Sequence, residues 1–185
     1  VGLSLFDLGI GSSTVRPGHQ EGKEAASVAS AIAPLGRVGA GAGATVSKWR
    51  GKEFSELGGL GGATLREGNL IVSCLIAVNA SGDIDFGEYP DKIRDGHFSI
   101  PKLNPFENTT IGVVATNAKL TKSECFLVSQ SAHDGYARAL FPAHTSGDGD
   151  AVVVAATGKV PTEMSTIRSL TTLTVETAIK SIANE

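Results

Sequence analysis

The sequence predicts a layered α/β domain. Three apolar runs of strand length, "LIVSCLIAV" at Leu70–Val78, "IGVVAT" at Ile111–Thr116 and "AVVVAAT" at Ala151–Thr157, alternate with segments in which apolar residues recur every three or four positions. Continuous β-branched runs of this kind read as strands buried on both faces, and amphipathic helices supply the cover. At 185 residues, 41% of them hydrophobic and 19% charged, residues 1–185 form one domain long enough to enclose a core.

Taken in order, Gly2 to Leu8 reads as a strand and the Ala-rich Gln20 to Ala33 as a helix. From Gly36 to Gly62, nine of 27 residues are glycine, which suits neither a regular helix nor an ordinary strand and implies close backbone approach. Leu70–Val78 is the first buried strand, and Ala80 to Glu107 is a long polar connection with three prolines. After the strand Ile111–Thr116, Thr121-Lys-Ser-Glu124 has the spacing of a capping box. Cys125, Val128, Ala132, Tyr136 and Ala139 then line one face of the helix that it opens. Ala151–Thr157 is the third strand and Thr166 to Ala183 the final helix.

Charge narrows the partners. A net charge of -3 with no Lys/Arg run argues against nucleic acid or an anionic membrane and favours a small substrate. Cys74 and Cys125 have no metal or redox spacing, so reduced thiols and a cytoplasmic location are expected. The longest apolar run is far too short to span a bilayer.

Four stretches carry residues with chemistry. "GAGAGA" (Gly39 to Ala44) has the form of a dinucleotide fingerprint, without an acidic ribose partner at the required distance or a clear helix behind it. Thr45-Val-Ser-Lys48 has the hydroxyl-x-x-Lys spacing of penicillin-binding enzymes but neither companion motif, leaving a lysine inside a glycine-rich bend. "HTSGDGD" (His144 to Asp150) gathers His144, Asp148 and Asp150 at the mouth of a strand, too few ligands for a metal site and equally readable as a turn. His133-Asp134 reads as helix surface, since no nucleophile-elbow motif accompanies it. The fourth stretch, "NPFENTTIGVVATN", puts Asn108-Thr109-Thr110 where a Pro-bearing loop becomes a β-branched strand. That is a polar turn feeding a strand, or a self-cleavage site before a threonine.

"NTTIGVVATNAKLTKSE" followed by "AHDGYARALFPAHTSGDGDAVVVAATG" resembles the L-aminopeptidase/D-esterase family of self-processing hydrolases, which includes β-aminopeptidases and nylon-oligomer hydrolases. The resemblance extends upstream through "GRVGAGAGATVSK", "GGLGGATLREG" and "LIAVNASGDID", so it covers nearly the whole chain. It implies an αββα sandwich similar to N-terminal-nucleophile hydrolases. It also implies cleavage between Asn108 and Thr109 into an α-chain part, 1–108, and a β-chain part, 109–185, with Thr109 as nucleophile. Chemistry alone does not choose between Thr109 and Thr110. By the same resemblance Lys48 and Asn79 match the family's active-site lysine and asparagine, and Asp148 and Asp150 its pair after the "HT" step. No cofactor or metal is implied. Small peptides, amides or esters are the implied substrates, a homo-oligomer, often a tetramer, is the implied assembly, and a further region is expected before the equivalent of Val1.

The residue types suit that chemistry. A threonine hydroxyl needs a base, and a freed α-amine with a pKa near 7.7–8.0 is one. Lys48 nearby would keep that amine unprotonated, while a carboxylate from Asp148 or Asp150 would orient it and pull its pKa the other way. Asn79, at the end of a buried strand, could donate to the oxyanion of the tetrahedral intermediate. The expected activity is that of a self-processing aminopeptidase or amidohydrolase. The alternatives are an acyltransferase similar to ornithine acetyltransferase, a truncated inactive homologue, and a metal-dependent hydrolase built on His144 and the two aspartates.

Overall fold

The computed structural model describes residues 3–5, 10, 12–89 and 108–184. Of the strand expected over Gly2–Leu8, only 3–5 are described, without regular structure; most of the connection Ala80–Glu107 lies outside the described residues. The first helix, α1 (His19–Ser27), is shorter than the Ala-rich stretch predicts and buries no residue. With no apolar face to dock, only local propensity holds it, and short helices are marginal on propensity alone.

Four strands form the main sheet: β3 (Gly59–Glu67), β4 (Leu70–Val78), β6 (Ile111–Ala118) and β8 (Ala151–Val160), in the order β3-β4-β6-β8. β3 and β4 form an antiparallel hairpin, β6 runs antiparallel to β4, and β8 runs parallel to β6. The parallel step requires a crossover, which α2 (Lys122–Ala139) supplies. Thr121 caps α2, its hydroxyl accepting from Glu124 N–H while the Glu124 carboxylate accepts from Thr121 N–H, as the capping-box spacing predicts. After β8, α3 (Met164–Ser181) returns over β3 and β4 beside α2. Two small pairs complete the described elements: β1 (Thr45–Val46) with β2 (Glu56–Leu57), and β5 (Asp83–Ile84) with β7 (Leu140–Phe141).

The core lies between the helical layer and one sheet face. Val72, Ile76 and Val114 from the sheet meet Val128 and Tyr136 of α2 and Ile167 and Val175 of α3, all fully buried. Alternate residues point the other way, and there the expectation of strands buried on both faces holds for β4, which exposes no residue, but not throughout β6 and β8, where Val113 is 41% and Val153 37% exposed. The pleat sends successive side chains to opposite faces, and the described helices pack on one of them. Cys74 belongs to this core, where burial pushes its thiol up to about 12, whereas Cys125 is partly exposed; both are free thiols. Among the described residues no helix is long and apolar enough to cross a membrane.

The glycine-rich segment also differs from expectation, because its last residues are strand. β3 begins at Gly59, and its glycines mark the close backbone approach expected of the segment. A Cβ on Gly61 would stand 2.0 Å from the Ala178 carbonyl oxygen of α3. Gly135 of α2 is similarly confined, with Val175 Cβ at 2.8 Å. Gly61→Ala is therefore expected to push α3 off the sheet and to destabilise the fold by about 1–3 kcal/mol. A lower denaturant midpoint at unchanged m-value would register this; an unshifted midpoint would refute the close-packing account.

Candidate active site

The sheet topology brings three chain segments to one end. β4 ends where β6 begins because they are antiparallel, and β8 begins beside them because it is parallel to β6. Asn79, Asn108–Thr110 and Asp148–Asp150 therefore meet. Thr109 N–H donates to the Asn79 backbone oxygen at 3.0 Å, Gly149 N–H to the Asn108 oxygen at 2.8 Å, and Ala151 N–H to the Thr110 oxygen at 3.0 Å. Asn79 and Thr110 are fully buried, and Asn108 and Thr109 nearly so.

Lys48 joins from the glycine-rich segment. Ser47 takes a left-handed conformation (φ 65°) and starts a single 3-10 turn, Lys48–Arg50. This turn is tied to the residues after β4 by Ser47 N–H donating to Gly82 O (2.9 Å) and Trp49 N–H to Ser81 O (3.0 Å). Asp83 clamps it further, accepting from Arg50 through both nitrogens (2.9 and 3.1 Å), from the Trp49 indole (3.1 Å) and from the Tyr89 hydroxyl. Gly58 permits the close passage, since a Cβ there would lie 2.2 Å from Val78 O. Thus held, Lys48 Nζ donates to Asn79 Oδ1 at 2.9 Å and to the Asn79 backbone oxygen at 3.4 Å.

Asn79 Oδ1 also accepts from Thr45 N–H at 3.0 Å. Two strong donors on one oxygen fix the orientation of the amide and make Nδ2 its donor edge. The Thr109 hydroxyl donates to the carbonyl oxygen of the residue before it, Asn108, at 2.5 Å. The nucleophile candidate and the carbonyl that it would attack are in contact.

The two aspartates have different partners. Asp148 accepts from Ser81 N–H (3.0 Å) through one oxygen and from Thr145 N–H and hydroxyl (2.9 and 2.5 Å) through the other. Burial raises its pKa, opposed by the Thr145 hydroxyl bond. Asp150 accepts from Thr110 N–H at 2.7 Å and pairs with His144 Nδ1 at 2.8 Å. His144 therefore faces Asp150 rather than standing as a third ligand with both aspartates. Among the described residues no group of three or more His, Cys, Asp or Glu could hold a metal ion.

Sequence reasoning missed what lies behind His144. Its ring stacks on Tyr136, centroids 5.8 Å apart, and tilts against His133 at 4.9 Å. His133, expected on the helix surface, is half-buried, and burial and the neighbouring His144 lower its pKa. The signal was the spacing of His133 and Tyr136, three apart on one face of α2. The His144 pKa is raised by the Asp150 hydrogen bond, against partial burial.

Comparison with known proteins identifies the family and the fold. Residues 4–185 match peptidase family S58. An uncharacterized aminopeptidase of Mycobacterium leprae is 33% identical over 185 residues, covering 86% of this chain and 49% of that protein. The chain thus spans about half the length of the curated relatives that it matches. Among solved structures, the PH0078 protein of Pyrococcus horikoshii superposes with a TM-score of 0.67 at 22% identity, over 90% of this chain and 49% of that one. The L-aminopeptidase D-Ala-esterase/amidase of Ochrobactrum anthropi, described as a variant of the Ntn-hydrolase fold, superposes at 0.55 with 18% identity, over 80% and 44%. The layered α/β fold is shared with these proteins.

The His144–Asp150 pair gives a pH signature. A histidine whose folded pKa exceeds its ordinary value near 6.5 stabilises the fold fully below that value, and the contribution is lost as pH rises through the folded pKa. Gln at this position cannot protonate. His144→Gln is expected to destabilise more at about pH 5.5 than at about pH 8.5. Denaturation of parent and variant at both values checks this, and an equal loss at both would contradict the pairing.

Proposed function

The chain belongs to peptidase family S58, and on that premise we propose a self-processing N-terminal-threonine amidohydrolase that releases N-terminal residues from small peptides, amides or esters. The observation that carries this reading is the contact of the Thr109 hydroxyl with the Asn108 carbonyl oxygen, 2.5 Å, in a nearly dry setting beside Lys48 and Asn79.

In the first stage Thr109 Oγ1 attacks the Asn108 carbonyl carbon. The new C–O bond replaces the C–N bond, the hydroxyl proton passes to the departing nitrogen, and an ester results. Water then cleaves the ester, leaving an Asn108 carboxylate and a free Thr109 amine. The parts 1–108 and 109–185 stay associated, because β4 lies in the first and β6 in the second, joined by a continuous ladder.

In the second stage the Thr109 amine is the base for its own hydroxyl. The Asn79 backbone oxygen, which already accepts the Thr109 N–H, holds it in place. Lys48, bonded to the same asparagine, disfavours a second positive charge there and so favours the unprotonated amine. Asp150 anchors the backbone next to the nucleophile through Thr110 N–H, and Asp148 anchors Ser81 beside Asn79. With Oδ1 pinned, Asn79 offers Nδ2 to the oxyanion of the acylated substrate.

Intact-mass measurement under denaturing conditions tests the first stage. The parent and Thr110→Ala are expected as two chains divided at Asn108–Thr109, and Thr109→Ala as one uncut, inactive chain. Cleavage persisting in Thr109→Ala, or an active uncut parent, would sink the mechanism. For the second stage, Asn79→Ala is expected to cut p-nitroanilide or β-amino amide turnover about 100-fold or more. Lys48→Ala should also lower it, and parent-like rates in both variants would refute the site assignment.

A further inference from the structure

The peptide between Asn108 and Thr109 is gripped at both of its polar atoms. Its nitrogen side is held by Thr109 N–H donating to Asn79 O at 3.0 Å, and its carbonyl oxygen accepts Gly149 N–H at 2.8 Å. The second bond prolongs the parallel β6–β8 ladder. Asn108 and Asp148 form an isolated parallel bridge, Asn108 N–H donates to Gly147 O at 3.0 Å, and Ala151 N–H donates to Thr110 O at 3.0 Å. The sheet thus places one rung on the carbonyl that Thr109 Oγ1 touches.

We propose that the Gly149 backbone N–H is the oxyanion donor of the self-cleavage step, a catalytic role separate from that of Asn79 in substrate turnover. This rests on the self-processing reading above. As Thr109 Oγ1 bonds to the Asn108 carbon, the carbonyl oxygen takes up negative charge, which returns to a C=O bond when the C–N bond breaks. A donor already in place at 2.8 Å on a backbone rung meets that charge without reorganisation. The neighbouring carboxylates do not compete, since Asp148 is occupied by Ser81 and Thr145, and Asp150 by Thr110 and His144.

The residue type fits the role. A Cβ at position 149 would stand 3.0 Å from Thr109 Oγ1 and 3.7 Å from Asn108 O, crowding the attacking hydroxyl. Glycine presents its N–H and leaves the approach open. In "SGDGD" this glycine reads from sequence as turn composition only.

Replacing a backbone amide by an ester removes the donor and little else. In the full-length protein, glycolic acid at position 149 deletes the N–H on Asn108 O, and lactic acid at position 151 deletes the next rung, on Thr110 O. Fragment formation is followed by intact mass in samples folded by circular dichroism. The 149 ester is expected to cleave about 100-fold or more slowly than the parent, with the 151 ester within a few-fold of it. A 149 ester that cleaves within about tenfold of the parent, or two esters slowed alike, would overturn the proposal by leaving the rung a purely structural bond. Failure of the self-processing reading itself looks different: the parent stays uncut, or Thr109→Ala is cut.

Discussion

The pairing of β6, antiparallel to β4 on one side and parallel to β8 on the other, is the constraint from which the site follows. Its register aligns Ala77 with Ile111 and Ile111 with Ala151. Two residues beyond each of these lie Asn79, Thr109 and Gly149. A shift of one residue in either pairing would turn the alternate side chains over and separate the groups. Distant stretches of sequence therefore reach hydrogen-bond distance because a sheet edge is periodic, without help from loop flexibility. The same pairing divides the ladder between residues before and after Asn108, so the core does not depend on that one peptide bond.

Lys48 arrives by a different device. The segment that carries it has little regular structure, yet it is tied down backbone to backbone against 81–82 and through Asp83. Asp83 is 8% exposed, and a carboxylate so placed is tolerable only when paired. Arg50, Trp49 and Tyr89 supply that pairing from one cluster, in which the Tyr89 ring also stacks on Phe141 at 4.5 Å. The turn behind Lys48 is thereby rigid, and an ammonium on a flexible stem is delivered to one oxygen of one asparagine.

Polarity is concentrated at this end of the molecule. The interior between sheet and helices is mostly aliphatic, apart from Tyr136, Cys74 and Ser131 and from threonines on α3 whose hydroxyls bond back to the preceding turn. Ser81 Oγ, Asn108 Oδ1 and Thr110 Oγ1 are buried at the site without a hydrogen-bond partner among the described residues, as is the Tyr136 hydroxyl on α2. Uncompensated buried polar atoms are costly and gather where chemistry needs them.

How much of this was legible in the sequence varied with the range of the cause. The runs Leu70–Val78, Ile111–Thr116 and Ala151–Thr157, and the box Thr121–Glu124, are local, and the sequence alone determined those elements within a few residues. The motifs around Lys48, Asn79, Thr109 and Asp148–Asp150 were legible by resemblance, and the structure brings all of them together. Other features were decided only in three dimensions. β3 was hidden because its glycines answer to the backbone of α3, more than a hundred residues away. The partial exposure of β6 and β8 among the described residues was hidden because a β-branched run looks the same whether one side or both are covered. The stacking of His144 on Tyr136 and the rung from Gly149 to Asn108 depend on strand register, and register comes from the pairing of whole strands, which no local pattern encodes.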